Sequence, residues 1–191
     1  MKRRCMVAVG RDQIIALAIQ HLNEDPTASM AQIAEATGVS RATLHRHFAS
    51  REELLAVLGR KALDSWERVQ RRAAIEEATA SADPERVTAA LRDLLAGMVD
   101  DVQEYGFALT EHVMTKLPGL RERADELEER ELALYLAAQR AGVLRPDLPV
   151  RWISNTSYGL IIAVRESLRR GDVARRDIER LLVETFLRGT A

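Results

Sequence analysis

Five polar side chains crowd into the seven residues from 41 to 47: Arg41, Thr43, His45, Arg46 and His47. Their donors and acceptors suit the floor of a DNA major groove. An arginine offers a bidentate fork to guanine, a threonine meets a thymine methyl or a phosphate, and an imidazole bonds base edges or backbone. A metal reading of the two histidines fails on spacing, because residues two apart on a helix point roughly 200° from one another, whereas a chelate needs the i, i+4 relation. Nothing in the sequence pairs a nucleophile with a base or builds a glycine-rich phosphate loop. Glu111 and His112 stand adjacent, not in an H-E-x-x-H frame. The acid pairs Asp100-Asp101 and Glu128-Glu129 read as solvated helix faces.

The elements that must hold these five side chains are legible around them. Ser29 and Gln32 form an S-x-x-Q capping box that opens a helix with Ile33 and Ala34 inward. Gly38 can take the left-handed conformation that closes it, Val39 anchors the turn, and Ser40 caps the next helix, which turns Leu44 and Phe48 inward. Residues 29–48 thus have the build of a helix-turn-helix, in which the first helix braces the second so that its exposed N-terminal half can enter a groove. A helix over 11–23, with Ile14, Leu17, Ala18 and Leu22 at helical spacing, precedes it.

Downstream, Ser50 and Glu53 repeat the capping box and launch a long helix expected to reach Thr79. Asp83-Pro84 opens another through Val102, and further helices are expected over 107–117, 121–140, 150–170 and 174–187, with the clearest loop at 145–149. Ala and Leu, at 28 and 24, outnumber Val and Ile, at 14 and 9, by more than two to one, so the composition also favours an all-α fold of about nine helices.

Charge says little in bulk. Lys and Arg number 28 against 29 Asp and Glu, a net charge of -1. Locally, residues 1–60 hold eight basic and six acidic side chains, leaving 20 against 23, so the surplus of positive charge sits with the groove-reading segment. Lys2-Arg3-Arg4 reads equally as a DNA-contacting arm or a basic tail. A single cysteine, Cys5, excludes an intramolecular disulfide and points to a cytoplasmic protein. No run approaches the roughly 20 apolar residues of a membrane helix, and the apolar stretch near the N-terminus is too short for a signal peptide.

With these residues in view, the chain resembles the TetR family of bacterial transcriptional regulators. The resemblance rests on Ile33-Ala34, Gly38-Val39-Ser40, Thr43-Leu44-His45-Arg46-His47-Phe48 and Ser50-Arg51-Glu52-Glu53-Leu54-Leu55, behind a first helix beginning Arg11-Asp12-Gln13-Ile14-Ile15. It implies a DNA-binding head over 1–55 and an effector-binding and dimerisation body over 56–191. Groove-facing positions of the family fall on Arg41, Ala42, Thr43, His45, Arg46 and His47, a phosphate contact falls on Arg51, and Ser29 completes the DNA-binding set. Three features depart from the pattern: His45 stands where tyrosine is usual, Arg51 stands where lysine is usual, and the glycine common between the first two helices is missing, with Glu24-Asp25-Pro26 in its neighbourhood.

The resemblance further implies a homodimer on a palindromic double-stranded operator, repression relieved by a small molecule, and no cofactor. Candidate effector-binding residues are Trp66, Met98, Tyr105, Phe107, His112, Tyr135, Asn155 and Tyr158. His112 and Asn155 sit among apolar neighbours, and protein partners are the expectation for both. With so few rings outside the head, an apolar effector is expected. Trp152, Thr156, Leu160 and Val164, with Ile178, Leu182 and Phe186, are expected at the dimer interface. The readings weighed against this one are a helical enzyme or binding module with an incidental helix-turn-helix, and an activator of the same fold.

Overall fold

The computed structural model describes residues 10–81, 83–109 and 117–191. Among these residues the chain forms nine α-helices, one short 3-10 turn and no strand. The helices are α1 (Arg11–Glu24), α2 (Met30–Ala36), α3 (Arg41–His47), α4 (Arg51–Arg72), α5 (Ile75–Ser81), α6 (Pro84–Tyr105), α7 (Pro118–Arg140), α8 (Val150–Arg170) and α9 (Arg175–Thr190), and the 3-10 turn spans Gly106–Leu109. No described helix is long and apolar enough to cross a membrane.

Local chemistry sets most of these boundaries. Ser29 accepts from the Gln32 amide at 3.4 Å, and Gln32 Oε1 accepts from the Ser29 amide at 2.9 Å. Both arms of the expected capping box are therefore closed. At α4 the box is shifted: Ser50 accepts from the Glu53 amide, but the Glu53 carboxylate accepts from Ala49. Asp83 caps α6 through the Glu85 amide, with Pro84 in the first turn, where its missing N–H costs nothing.

The long helix expected to reach Thr79 is two helices. It stops at Arg72, and Ala74 takes a left-handed φ of 50° before α5 begins. Neither glycine nor proline marks the site. The break re-aims the chain so that Ala73, Ile75 and Ala78 all enter the body core, and that burial offsets the ~1 to 2 kcal/mol that a left-handed alanine costs. The helix expected over 107–117 starts instead as the 3-10 turn; residues 110–116, among them His112, lie outside the described residues, as does the Lys2-Arg4 arm. α7 begins at Pro118, three residues before the expected 121.

Two main cores divide the apolar side chains. One joins α1–α3 to the start of α4 through Ile14, Ala18, Leu22, Ile33, Leu44, Phe48 and Leu54, and takes in Leu58 and Ala62. Tyr105 and Phe107, expected at an effector site, are buried in this same core. The end of α6 and the 3-10 turn are thus wedged against the head. The second core is built on α6 and packs α5, α7, α8 and α9 around Leu91, Leu94, Leu95, Leu134 and Tyr135.

That second core corrects the expected dimer interface. Val164, Ile178, Leu182 and Phe186 are 4%, 4%, 3% and 0% exposed and pack within the chain. A face consumed by α6 and α7 contacts cannot also meet a second copy. Trp152 is 61% exposed and Leu181 is also open, while Thr156 and Leu160 are half-buried. The outer faces of α8 and α9 are these residues.

Candidate nucleic-acid interface

α3 stands on the head core through Leu44 and Phe48, both 0% exposed, and its opposite side is polar. Arg41, Ala42, His45 and Arg46 are exposed, while Thr43 and His47 are half-buried. Gly38, at φ 69°, lets the chain turn sharply between α2 and α3, and the Val39 amide donates back to Ala34. The Arg11 guanidinium lies 5.1 Å above the Phe48 ring and ties the start of α1 to the end of α3. A short helix is thereby held rigidly with one face clear, as groove insertion requires.

Individual side chains are more specified than their types suggested. Thr43 is partly a cap residue: its amide donates to Ser40 Oγ at 3.0 Å and the two hydroxyls meet at 2.9 Å. His45 Nδ1 donates to the Ala49 carbonyl at 3.3 Å, since a carbonyl can only accept. In the neutral ring this leaves Nε2 as an acceptor. His47 tilts against Phe48 with ring centroids 6.4 Å apart.

Arg51 first serves the fold. Its Nε donates to the Ala28 carbonyl at 3.0 Å and one Nη to the Pro26 carbonyl at 2.6 Å. Those two carbonyls belong to the loop between α1 and α2, where no helix satisfies them, and the guanidinium fork spans both. The side chain expected at a phosphate therefore stitches α4 to that loop. Nearby, hydrogen bonds from Thr27 hold the Asp25 carboxyl below its usual range and close the same loop.

The head is also latched to the body. Asn23, at the end of α1, donates through Nδ2 to the carbonyls of Gln103 at 3.2 Å and Glu104 at 2.8 Å, and its Oδ1 accepts from the Phe107 amide at 2.9 Å. The carbonyls at the end of α6 lack helical partners, and one side-chain amide supplies two of them. Arg165 of α8 donates to the Asn23 carbonyl at 3.3 Å.

Of the eight expected effector residues, the seven that are described do not converge. Tyr105 and Phe107 fill the head core, and Asn155 is exposed, contrary to its expected apolar surroundings. Tyr158 is 48% exposed and donates to the Leu109 carbonyl. Trp66, Met98 and Tyr135 do lie in one region of the body. It is organised by side chains that periodicity had hidden: Gln70, Glu131 and Ser157, all buried. Trp66 Nε1 donates to Glu131 Oε1 at 2.5 Å, and Gln70 Nε2 donates to the same oxygen at 3.1 Å and to the Leu127 carbonyl at 2.8 Å.

Burial pushes the Glu131 carboxyl up to about 7, against the hydrogen bonds from Gln70 and Trp66, with the charges of Glu128 and Asp101 adding to the rise. Burial also pushes the Tyr135 phenol upward. The signal was present in the sequence: Glu131 interrupts the apolar stripe Leu127, Leu134, Tyr135 and Ala138. A separate cleft of about 350 Å³ between α4 and α6, lined by side chains including Arg68, Arg72, Asp93 and Asp101, holds none of the expected effector residues.

Comparison with known proteins agrees with this architecture. The family model for bacterial regulatory proteins of the tetR family matches residues 14–58. The HTH-type transcriptional repressor LfrR of Mycolicibacterium smegmatis is 32% identical over 161 residues, covering 84% of this chain and 80% of that protein. The crystal structure of the TetR-like regulator LfrR from Mycobacterium smegmatis in complex with proflavine superposes with a TM-score of 0.66 at 28% identity, covering 92% and 93% of the two chains. The ketosteroid transcriptional regulator KstR2 of Mycobacterium tuberculosis shares the fold, with a TM-score of 0.71 at 18% identity over 100% and 99% of the chains. The likeness to LfrR runs through both cores and well beyond the motif, and the chain belongs to the TetR family of bacterial transcriptional regulators.

Proposed function

We propose that this ligand-responsive DNA-binding regulator is a cytoplasmic, non-enzymatic repressor that sits as a homodimer on a short palindromic operator until a small molecule enters its body. The observation that carries the reading is α3, a braced helix whose open face presents Arg41, His45 and Arg46. In this reading the head over 1–55 reads DNA and the body over 56–191 binds effector and partner copy. Arg41 offers a fork to guanine. Thr43, with its hydroxyl engaged by Ser40, offers its methyl to thymine. His45 in its neutral form accepts through Nε2 from an exocyclic base amine, a role the usual tyrosine would fill differently. Ala42, Arg46 and His47 line the groove, Ser29 lies at the rim, and Arg51 supplies positive charge at the start of α4.

Two recognition helices must lie roughly 34 Å apart to meet successive major grooves, which a monomer cannot provide. The exposed faces of α8 and α9, with Trp152, Thr156, Leu160 and Leu181, are the surface we assign to the partner copy. The effector is a mostly apolar molecule, as the Leu- and Ala-rich body suggests. LfrR, a relative solved with proflavine, supports a body that accepts a small molecule. Effector binding need only favour the arrangement that does not fit DNA, and the wedge of Tyr105 and Phe107 carries that bias from α6 into the head.

The test is Arg41→Ala with Thr43→Ala. Selection from random DNA should yield a palindrome for the parent protein, with steeply salt-dependent retention, while the double variant keeps its fold and oligomeric state but loses sequence preference. An unchanged preference in the variant overturns the assignment of α3.

A further inference from the structure

Where head meets body, the ends of α1, α6 and α8 border a cleft of about 580 Å³, a size that suits a small molecule. Val102, buried, and Leu168, half-buried, give it an apolar floor. Its rim is polar, with Gln20 and Glu24 of the head facing Arg165 and Arg169 of the body. Glu24 is the one acid among the lining residues, and it is exposed, so water and salt screen its charge.

The neighbouring arginines are matched to acids. Arg169 and Arg170 both reach Glu166, and Arg175 meets Asp100 and the Gln103 side-chain oxygen. Arg165 is the exception. Among the described residues no carboxylate pairs with it, and its one hydrogen bond is the 3.3 Å contact from Nη2 to the Asn23 carbonyl. A half-buried guanidinium with five N–H donors is thus left with a single long bond beside a cavity. Its position is built in by Gly106. That residue has φ -57° and ψ -24°, so its backbone makes no demand for glycine. The demand is for space: a Cβ there would lie 2.9 Å from Arg165 Nε and 3.1 Å from its Cδ. Gln103, also lining the cleft, accepts from Arg175 through Oε1, which leaves Nε2 as a second donor.

We propose that this junction cleft binds a small organic carboxylate carried on a compact apolar body. The carboxylate accepts from the forked N–H groups of Arg165 and from Gln103 Nε2, while the apolar part covers Val102 and Leu168. One negative charge balances the one unpaired guanidinium, whereas a dianion would also meet Glu24. Because the ligand touches α1, α6 and α8 together, it binds only while the head is docked as in this structure, and so it clamps head to body. The site lies at the junction and not within the body core, so it stands whether or not an effector enters that core.

The test uses the full chain and two probes of nearly equal shape, naphthoate, which is anionic, and naphthamide, which is neutral. Isothermal titration calorimetry at neutral pH should give naphthoate at least a roughly tenfold tighter affinity, weakened by added salt while that of naphthamide is not. Arg165→Met, which keeps the stem and removes the charge, should erase the preference. Gly106→Ala should erase it with the guanidinium still present, because the new Cβ meets only the flexible end of Arg165 and pushes it aside. That contact is cheap to relieve, so Gly106→Ala decides the matter should Arg165→Met fail to fold. Hydrogen exchange locates the site: naphthoate should slow exchange at the end of α1 and at the end of α6 in the parent protein and not in the variants. Binding of neither probe, equal affinity, a preference that survives either substitution, or protection confined to the body core overturns the junction site.

Discussion

Asn23 is the residue through which head and body can be separated without touching either core. Its side chain makes three hydrogen bonds across the junction, at 2.8, 3.2 and 2.9 Å, to Glu104, Gln103 and Phe107. Asn23→Ala removes all three and leaves the Arg165 contact, which uses the Asn23 backbone carbonyl, in place. A net contribution of ~0.5 to 1 kcal/mol for each partly solvated bond puts the expected loss at about 2 kcal/mol. Asn23→Asp should cost at least as much, because it keeps the acceptor for Phe107 but turns a second oxygen toward two carbonyls. The assay is urea denaturation followed by far-UV circular dichroism, at one protomer concentration because dimer and fold are linked. Hydrogen exchange then locates the effect, with faster exchange expected in α1 and at the end of α6. The alanine variant should also hold operator DNA while losing part of its response to effector. A stability change below ~0.5 kcal/mol, or exchange confined to α1, refutes the latch.

Other predictions follow from the same geometry. Glu131 ionises near 7 in the fold against 4.5 for an unperturbed glutamate, so its contribution is fully present below about 4.5 and is lost as pH rises through about 7, by up to about 3 kcal/mol. Glu131→Gln should flatten that fall, leaving the smaller one from Asp101, whose carboxyl burial raises to about 6; unfolding curves across this range that match the parent's count against it. Arg51→Met should lower stability by ~1 to 3 kcal/mol, because the Pro26 and Ala28 carbonyls lose a charged donor. An unchanged melting temperature with a salt dependence of DNA binding reduced by about one phosphate would return Arg51 to a purely phosphate role. Ala74→Gly should raise stability by ~0.5 to 1 kcal/mol, since Ala74 is exposed and sits at φ 50°; a loss on thermal unfolding would show that the strain there is negligible.

Much of the head was legible in the residues themselves because its determinants are local. A capping serine, a glutamine three residues on and a glycine at a turn act within one helical turn of each other, so Ser29, Gln32, Gly38 and Ser40 announce the motif before any packing is known. The roles within it were less legible. Whether Arg51 meets a phosphate or a carbonyl depends on the loop at 26–28, which lies more than twenty residues away in sequence.

The body was legible as helices and not as a site. Periodicity says that a helix has an apolar face, but two apolar faces on α8 and α9 can be shared between an intrachain core and a partner in more than one way. Contact with α6 and α7 drew Val164, Ile178, Leu182 and Phe186 inward and left Trp152 and Leu181 outside. The break at Ala74 is likewise a tertiary choice, made where burial outweighs a local backbone cost. Sequence alone settled the all-α class and the capping residues Ser29, Ser40 and Asp83, since each depends on neighbours a few positions apart. Packing between distant helices settled that Tyr105 and Phe107 belong to the head and that Gln70 and Glu131 lie buried against each other, because a contact 61 residues long has no local signature.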